Sequence, residues 1–243
     1  MSDPNVPTRK LPTIQALRGI AAAMIVVLHA CHEAGLAKPG FPLKMGVDLF
    51  FVISGFIMVY TSRALFARAG AWREFVTRRL VRIVPVYWFY TTLLAVVALA
   101  LPSVLQKATV EPLHLFLSYV FIPHRGPAGN LHPFLEVGWT LNYEMCFYAV
   151  FAALLCLPVR RMLIALTLLF GAAVVVGGWL TPEAGAAYFW TRPIVLGFVG
   201  GAWVGHAFVS GVRLPGRAVW LIPVLAVALL AFPAASVSFA GNR

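Results

Sequence analysis

An arginine and a histidine on one apolar segment are the first side chains in this sequence that can do chemistry together. Residues 17–30 read LRGIAAAMIVVLHA, with Arg18 near the start and His29 near the end. An α-helix rises about 1.5 Å and turns about 100° per residue, so the two would lie about 16 Å apart along its axis but only about 20° apart around it. Imidazole acts as a general base near neutral pH, and guanidinium binds phosphate or carboxylate. The spacing therefore predicts a polar track along one face of a helix.

Both side chains also have a structural interpretation, which the sequence leaves open. His29 can be a polar residue that joins two helices, and Arg18 can be an anchor that reaches the membrane surface. Ionisable groups inside a membrane span are costly and usually face a bundle interior or a cavity, which favours a functional role for both. Glu33 follows His29 by four residues and can orient its ring.

A second group of cations is centred on Arg79 and Arg82, which are three residues apart and share a helix face. With the adjacent Arg78 they can form a socket for a polyanionic ligand. The alternative is attraction to anionic lipid headgroups, worth about 1 kcal/mol per residue.

A carboxylate, Glu144, lies inside the apolar stretch VGWTLNYEMCFYAVF. Such a carboxylate marks a functional site unless another helix merely neutralises it, and Tyr148 shares its helix face. In the apolar stretch GVDLFFVISGFIMVYTS, Asp48 is near the start and Ser54 in the middle. Asp48 is expected either to support the site or to interact with the positive N-terminal end of its helix. Ser54 and Tyr148 are expected as further supporting residues.

The composition excludes an ordinary soluble domain. Hydrophobic residues make up 61% of the 243 positions and charged residues 11%, whereas a soluble domain has about 25% charged residues. The formal net charge of +11 does not indicate nucleic-acid binding, because the basic residues lie between apolar stretches and fit the positive-inside rule. The sequence has no phosphate-binding loop and no metal-ligand spacing, so it predicts no metal site.

Apolar stretches of about 20 residues predict an all-α, polytopic transmembrane bundle of about seven spans. Residues 1–12 are predicted as a cytoplasmic tail. The stretch at residues 63–82 carries six arginines and one acid, which predicts a cytoplasmic loop on the same side as the N-terminus. The predicted spans cover residues 13–32, 46–62, 83–101, 137–157, 162–180, 193–209 and 219–235.

Some features of these spans follow from particular residues. Pro85 is expected in the first turn of the third span, where a missing N–H costs little. Residues 114–123 are apolar but too short to cross, which favours an interfacial or re-entrant segment in a long external loop. If they did cross, Arg160 and Arg161 would fall outside the cell. Four glycines of the sixth span predict close helix packing; they are Gly197, Gly200, Gly201 and Gly205.

Four segments in this order and spacing resemble the membrane acyltransferase family 3, the acyl-transfer proteins of O-antigen, exopolysaccharide and Nod-factor modification. The segments are LRGIAAAMIVVLHA, GVDLFFVISGF, RRLVRIVP and WTLNYEMCFY. In this resemblance the family's Arg-x10-His motif falls on Arg18 and His29, and its R-x-x-R motif on Arg79 and Arg82. The acidic residue of its W-(S/T)-L-x-x-E-x-x-F-Y segment falls on Glu144.

The resemblance implies a multi-pass protein of the bacterial inner membrane with a cytoplasmic N-terminus. Such proteins take an acyl group, commonly acetyl, from cytoplasmic acyl-CoA and attach it to a hydroxyl of a carbohydrate or a lipid-linked glycan. Acyl-CoA is then a donor substrate, and no permanently bound cofactor is expected. Family members form bundles of about ten spans and this chain offers about seven. Residues 13–243 are thus expected to be one integral-membrane acyltransferase domain, either C-terminally truncated or a shortened family member.

Together the residues and the resemblance give one mechanistic hypothesis. The three arginines hold the phosphates of CoA, and His29 acts as a general base on the acceptor hydroxyl or carries the acyl group transiently. Glu144 orients His29 or binds the acceptor. Two other classes of function stay open. One is a transporter, which inverted repeats with broken helices would indicate, although none is evident. The other is a non-catalytic, shortened member of the family.

Overall fold

The computed structural model describes residues 11–35, 41–101, 110–127 and 129–212, and every regular element among them is helical. The predicted all-α bundle is confirmed for this part of the chain. Short 3-10 turns precede α2, α5, α7 and α8 in the following order of α-helices: α1 (Pro12–Glu33), α2 (Met45–Thr61), α3 (Ala71–Ala100), α4 (Pro112–Tyr119), α5 (Trp139–Leu154), α6 (Val159–Gly177), α7 (Ala186–Trp190) and α8 (Leu196–Val209). The seventh predicted span and residues 1–10 of the predicted tail lie outside the described residues.

Helix length and composition fit the predicted multi-pass architecture. Three of the described helices are long and apolar enough to cross a membrane: α1 over Pro12–Cys31, α3 and α6. The helix α2 and the segment Pro193–Val209 are apolar but shorter. The 16 residues of α5 reach about 24 Å at about 1.5 Å per residue, somewhat less than the hydrocarbon core.

The third helix begins much earlier than the sequence predicted. It starts at Ala71, so the prediction of a loop is wrong for residues 71–82, and Pro85 lies inside α3 rather than in its first turn. The reason is that the arginine-rich part of α3 also has an apolar side. There Phe75 is buried and stacks on Phe151 of α5 at 5.0 Å between ring centroids. At 30 residues, α3 is about 45 Å long and extends beyond the apolar layer of a bilayer.

The aromatic side chains of α5 form the centre of the bundle. Phe147 is 1% exposed and stacks on Phe198 of α8 at 4.6 Å and on Phe170 of α6 at 5.6 Å. Tyr143, also 1% exposed, stacks on Phe189 of α7 at 4.1 Å. Each such ring pair contributes about 0.5–1.5 kcal/mol beyond its burial. These contacts fix the orientation of α5, and Glu144 lies about 60° around the helix from Phe147, on the adjoining face.

Glycines bring the backbones of α2 and α8 into direct contact. A Cβ added at Gly201 would overlap the carbonyl oxygen of Val52, and one added at Gly55 would overlap that of Phe198. Such backbone contact requires a residue without a side chain. The predicted close packing thus applies to three of the four glycines in this stretch: Gly197, Gly201 and Gly205 meet α2, whereas Gly200 has no such neighbour within 4 Å.

The short helix α4 is bound to the segment that leads into α5. It has eight residues, about 12 Å in length, which is too short to cross a bilayer and fits the interfacial or re-entrant segment predicted. Ser118 Oγ donates to the carbonyl of His114 at 2.7 Å and accepts a hydrogen bond from the backbone N–H of Phe134 at 2.8 Å. Tyr87 of α3 donates to the carbonyl oxygen of Ser118 at 3.2 Å. These bonds hold the loop against α3.

The short helix α4 carries a buried histidine, from which we expect this loop to be sensitive to pH. His114 is 6% exposed, its ring contacts Gly126, and its Nδ1 has no hydrogen-bond partner among the described residues. Burial lowers its pKa below the ordinary value of 6.5, and the proximity of His124 lowers it further, with partial opposition from Glu111. The folded loop therefore binds fewer protons than the unfolded loop. Its stability is complete above about pH 6.5 and declines as the pH falls below that value.

We expect backbone amides in residues 110–127 to exchange hydrogen faster at about pH 5.5 than at about pH 7.5, after correction for the intrinsic exchange rate. The measurement is hydrogen exchange of the purified protein read by mass spectrometry. His114→Gln should remove most of this pH dependence, since glutamine does not titrate. An unchanged pH dependence in His114→Gln would assign the effect to another group.

Candidate active-site cavity

Four helices, α1, α2, α3 and α5, enclose a cavity of about 340 Å³. Much of its wall is apolar, with isoleucine, valine, leucine and phenylalanine side chains from these helices. Apolar walls with a few convergent polar groups are typical of a ligand site. The polar side chains of this wall are Arg18, Ser54, Arg79, Arg82, Thr140, Glu144 and Tyr148.

The three arginines of the cavity give it an excess of positive charge. Arg18, Arg79 and Arg82 make no ion pair within the described part of the chain. By contrast Arg78, which does not line the cavity, pairs with Glu74. With a single carboxylate in the same wall, the cavity favours an anionic ligand.

Arg79 is held in place by a threonine hydroxyl and two aromatic rings rather than by an ion pair within the described residues. It is 9% exposed, and its Nη2 donates to Thr61 Oγ1 at 2.6 Å. Its guanidinium carbon lies 5.5 Å from the ring centroid of Phe75 and 5.8 Å from that of Tyr148, close enough for cation–π attraction. Arg82, one turn further along α3, is exposed. The pair thus combines one fixed and one accessible cation.

Glu144 is held from two helices through a single oxygen. Ser54 Oγ of α2 donates to Glu144 Oε1 at 2.9 Å, and the hydroxyl of Tyr148, one turn further along α5, donates to the same oxygen. The other oxygen, Oε2, receives no hydrogen bond from the described residues. Tyr148 therefore connects the two charged groups of the cavity, because its ring lies beside Arg79 and its hydroxyl binds Glu144.

The cavity has a basic end and an apolar end. On α5 its wall runs from Tyr148, beside Arg79, to Thr140, a distance of about 12 Å. Ile25 and Val47 line the wall near the start of α2, where a Cβ on Gly46 would lie 3.1 Å from Ile25. A ligand with an anionic head and a long neutral arm matches this order of groups.

The structure places His29 beyond the cavity. His29 is exposed and does not line the wall. It follows Ile25, a lining residue, by four residues, so it lies on the same face of α1 about 6 Å further along the axis. His29 is therefore at the apolar end, past the first turn of α2. Ser54, the residue of α2 that binds Glu144, is eight residues from Gly46, which is more than two helical turns away. The structure brings Arg18 and Glu144 to one cavity but does not bring His29 and Glu144 together.

One predicted supporting residue, Asp48, is not part of the cavity wall. Asp48 is exposed in the first turn of α2 and does not line the cavity. Its position near the N-terminal end of α2 agrees with the alternative of an interaction with the helix dipole. Glu33 is the last residue of α1, and its side chain lies outside the described part of the structure. The other two, Ser54 and Tyr148, both contact Glu144.

Sequence reasoning missed a buried cation, Arg192. It is 9% exposed, lies 3.9 Å above the ring centroid of Tyr188, and donates through Nε to the carbonyl oxygen of the same residue at 2.9 Å. Its Nη2 donates to the carbonyl oxygen of Gly177 at the end of α6. Arg192 thus stabilises the C-terminal end of α6 and takes no part in the cavity. No pattern in the sequence predicts that Arg192 binds Gly177, because every residue has a carbonyl oxygen.

A helical membrane bundle with a cavity lined by three arginines defines the class: a polytopic membrane protein with a cationic cavity among its helices. The family model described as an acyltransferase domain matches residues 11–242, so the chain belongs to the acyltransferase 3 family. The resemblance predicted from the four sequence segments is thereby confirmed.

Two relatives share substantial sequence with this chain. The exopolysaccharide production protein ExoZ of Rhizobium meliloti (strain 1021) is 41% identical over 175 residues, which cover 72% of this chain and 53% of the relative. The second relative, BcsY of Komagataeibacter xylinus, is named as a proposed membrane-bound transacylase. It is 32% identical over 200 residues, which cover 75% of this chain and 48% of the relative. The chain spans about half the length of these curated relatives. No solved structure matches it.

Proposed function

We propose that this chain binds the donor and carries the catalytic base of a membrane O-acyltransferase. The acyl group, acetyl in the first instance, comes from cytoplasmic acyl-CoA and goes to a hydroxyl of a cell-surface or lipid-linked carbohydrate. The observation that carries this proposal is the cavity with three arginines that make no ion pair with any residue the structure describes. The phosphates of CoA are anions that guanidinium groups bind with paired, charge-assisted hydrogen bonds. Membership of the acyltransferase family supplies the reaction type.

The acceptor class and the location rest on separate support. One relative is named for exopolysaccharide production, which supports a carbohydrate acceptor for this chain. The arginines of residues 63–82 support a cytoplasmic position for that end of the bundle, following the positive-inside rule. We therefore propose a location in a bacterial inner membrane, with the N-terminus and the basic end of the cavity in the cytoplasm.

The proposed reaction uses the two ends of the cavity for two tasks. Arg79, Arg82 and Arg18 bind the phosphates, and the neutral arm of CoA follows the wall towards the apolar end. His29, on the same face of α1 as Arg18 and Ile25, takes the proton of the acceptor hydroxyl. The hydroxyl oxygen bonds to the thioester carbon, the carbon–sulfur bond breaks, and the thiolate receives the proton from His29. One acyl ester and one free CoA result.

Arg82→Gln should raise the KM for acetyl-CoA about tenfold or more while the protein still inserts, because a charged hydrogen bond to phosphate contributes about 1.5–3 kcal/mol. The measurement is transfer of labelled acetyl from acetyl-CoA into a glycan or lipid fraction of membranes that contain the chain. Arg78→Gln is the matched control, since Arg78 pairs with Glu74 outside the cavity. Equal KM values for the two variants would contradict phosphate binding by Arg82, and absence of transfer by the parent chain would contradict the proposed function.

A further inference from the structure

The geometry points to Glu144 as the residue that anchors the neutral arm of the donor, rather than as a base in the reaction. This inference rests on the proposed donor, acyl-CoA. It assigns Glu144 Oε2 as the acceptor for an N–H or O–H group of that arm. It also assigns Ser54 and Tyr148 as positioning residues that hold the carboxylate in place.

The first support is the way in which the carboxylate is held. Ser54 Oγ and the hydroxyl of Tyr148 both donate to Oε1 of Glu144. The two donors come from α2 and α5, so the carboxylate is fixed across a helix interface. Oε2 receives no hydrogen bond from the described residues, and the side chain lines the cavity. A fixed carboxylate with one unused oxygen in a half-buried cavity is arranged to accept a hydrogen bond from a ligand.

The second support is the order of groups along the wall. Glu144 follows the basic end by one helical turn, because Tyr148 contacts both Glu144 and Arg79. In a ligand whose phosphates lie at Arg79, the next atoms along the chain reach Glu144. A carboxylate repels phosphate, but it binds the amide N–H and hydroxyl groups that follow the phosphates in pantetheine. Arg79 and Glu144 together thus fix how far the donor extends into the cavity, with its phosphates at Arg79 and its neutral arm at Glu144.

The third support is the distance from the proposed reaction centre. His29 lies beyond the apolar end, on the far side of Ile25 from Arg18. On α2, Ser54 is eight residues from Gly46, about 12 Å along the axis, and Gly46 adjoins Ile25. A general base must be within hydrogen-bond reach of the proton that it removes. Glu144 does not meet this requirement for a reaction at His29, whereas it does lie beside the path of the arm.

The test is equilibrium binding of CoA and of pantetheine, which lacks the nucleotide phosphates, to the full chain in lipid nanodiscs. Glu144→Gln keeps the size of the side chain and removes its charge. We expect it to raise the Kd for CoA and for pantetheine by the same factor, about tenfold. Arg82→Gln should raise the Kd for CoA alone, because pantetheine has no phosphate for it to bind. Ser54→Ala should raise the Kd for CoA and for pantetheine by one common factor, smaller than that of Glu144→Gln. It removes one hydrogen bond to the carboxylate but leaves the carboxylate in place.

Glu183→Gln is the matched control for loss of a carboxylate, since Glu183 is exposed and does not line the cavity. Equal Kd values for pantetheine in Glu144→Gln and Glu183→Gln would overturn the assignment while leaving CoA binding, and with it the proposed donor, intact. A loss of kcat in Glu144→Gln with unchanged Kd for both ligands would also overturn it, in favour of a role in the chemical step. Absence of CoA binding by the parent chain would overturn the proposed donor and this assignment together.

Discussion

His29→Gln is expected to lower acetyl transfer by at least about a hundredfold, since a positioned general base contributes about 10²–10⁴ in rate. Glutamine has a similar reach but accepts no proton, so the acceptor hydroxyl would have to attack without activation. His29 is exposed, and its replacement should leave insertion and folding unchanged. CoA binding should be retained, because the arginines of the cavity lie at the other end. The measurement is labelled acetyl transfer at equal amounts of inserted protein.

A matched histidine variant separates loss of the base from a general effect of the substitution. His206→Gln changes a histidine of α8 that does not line the cavity, and it should transfer acetyl at the rate of the parent. Parent-like turnover by His29→Gln at normal expression would remove His29 from the mechanism. Equal loss in both variants would point to damage to the bundle rather than to the reaction.

Gly201→Ala is expected to destabilise the bundle by about 1–3 kcal/mol or more, the usual cost of overpacking a filled interior. The new Cβ would overlap the carbonyl oxygen of Val52, which belongs to the backbone of α2 and cannot move aside as a side chain can. Relief requires α8 and α2 to separate, which also disturbs the stacking of Phe51 on Phe198 at 4.4 Å. The measurement is the Tm of the purified protein in detergent.

The neighbouring glycine provides the control for this prediction. Gly200→Ala makes the same chemical change one residue earlier in α8, where a Cβ meets nothing within 4 Å. Since alanine is a better helix former than glycine by about 1 kcal/mol, this variant should be as stable as the parent or more stable. Equal Tm values for the two alanine variants would contradict direct backbone contact between α2 and α8.

Local patterns in the sequence were sufficient for the fold class and for the residue types of the site. Long apolar stretches leave few alternatives to helices, because backbone groups in a bilayer must bond within their own segment. Arg18, Arg79 and Glu144 were predicted because charges are rare and costly in such stretches. The role of each of them stays a prediction, since position in a cavity does not by itself establish a reaction.

Local patterns failed where two properties overlapped in one segment. Arginines at residues 63–82 predicted a loop, yet α3 starts at Ala71. Hydropathy averaged over that segment hides Phe75, which is buried against Phe151. In the same way four glycines of α8 look equivalent in sequence, although Gly201 contacts α2 and Gly200 does not.

The sequence by itself determined that this protein is a helical membrane bundle with basic, acidic and imidazole groups within its apolar segments. The tertiary structure decided which of them share a cavity: Ser54 binds Glu144 across 90 positions of the chain, and His29 lies outside the wall that Arg18 lines. The physical reason is that helix formation and hydropathy depend on near neighbours in sequence. The partner of a buried charge depends instead on how the helices pack, and that packing is set by contacts such as Phe147 on Phe198 between distant segments.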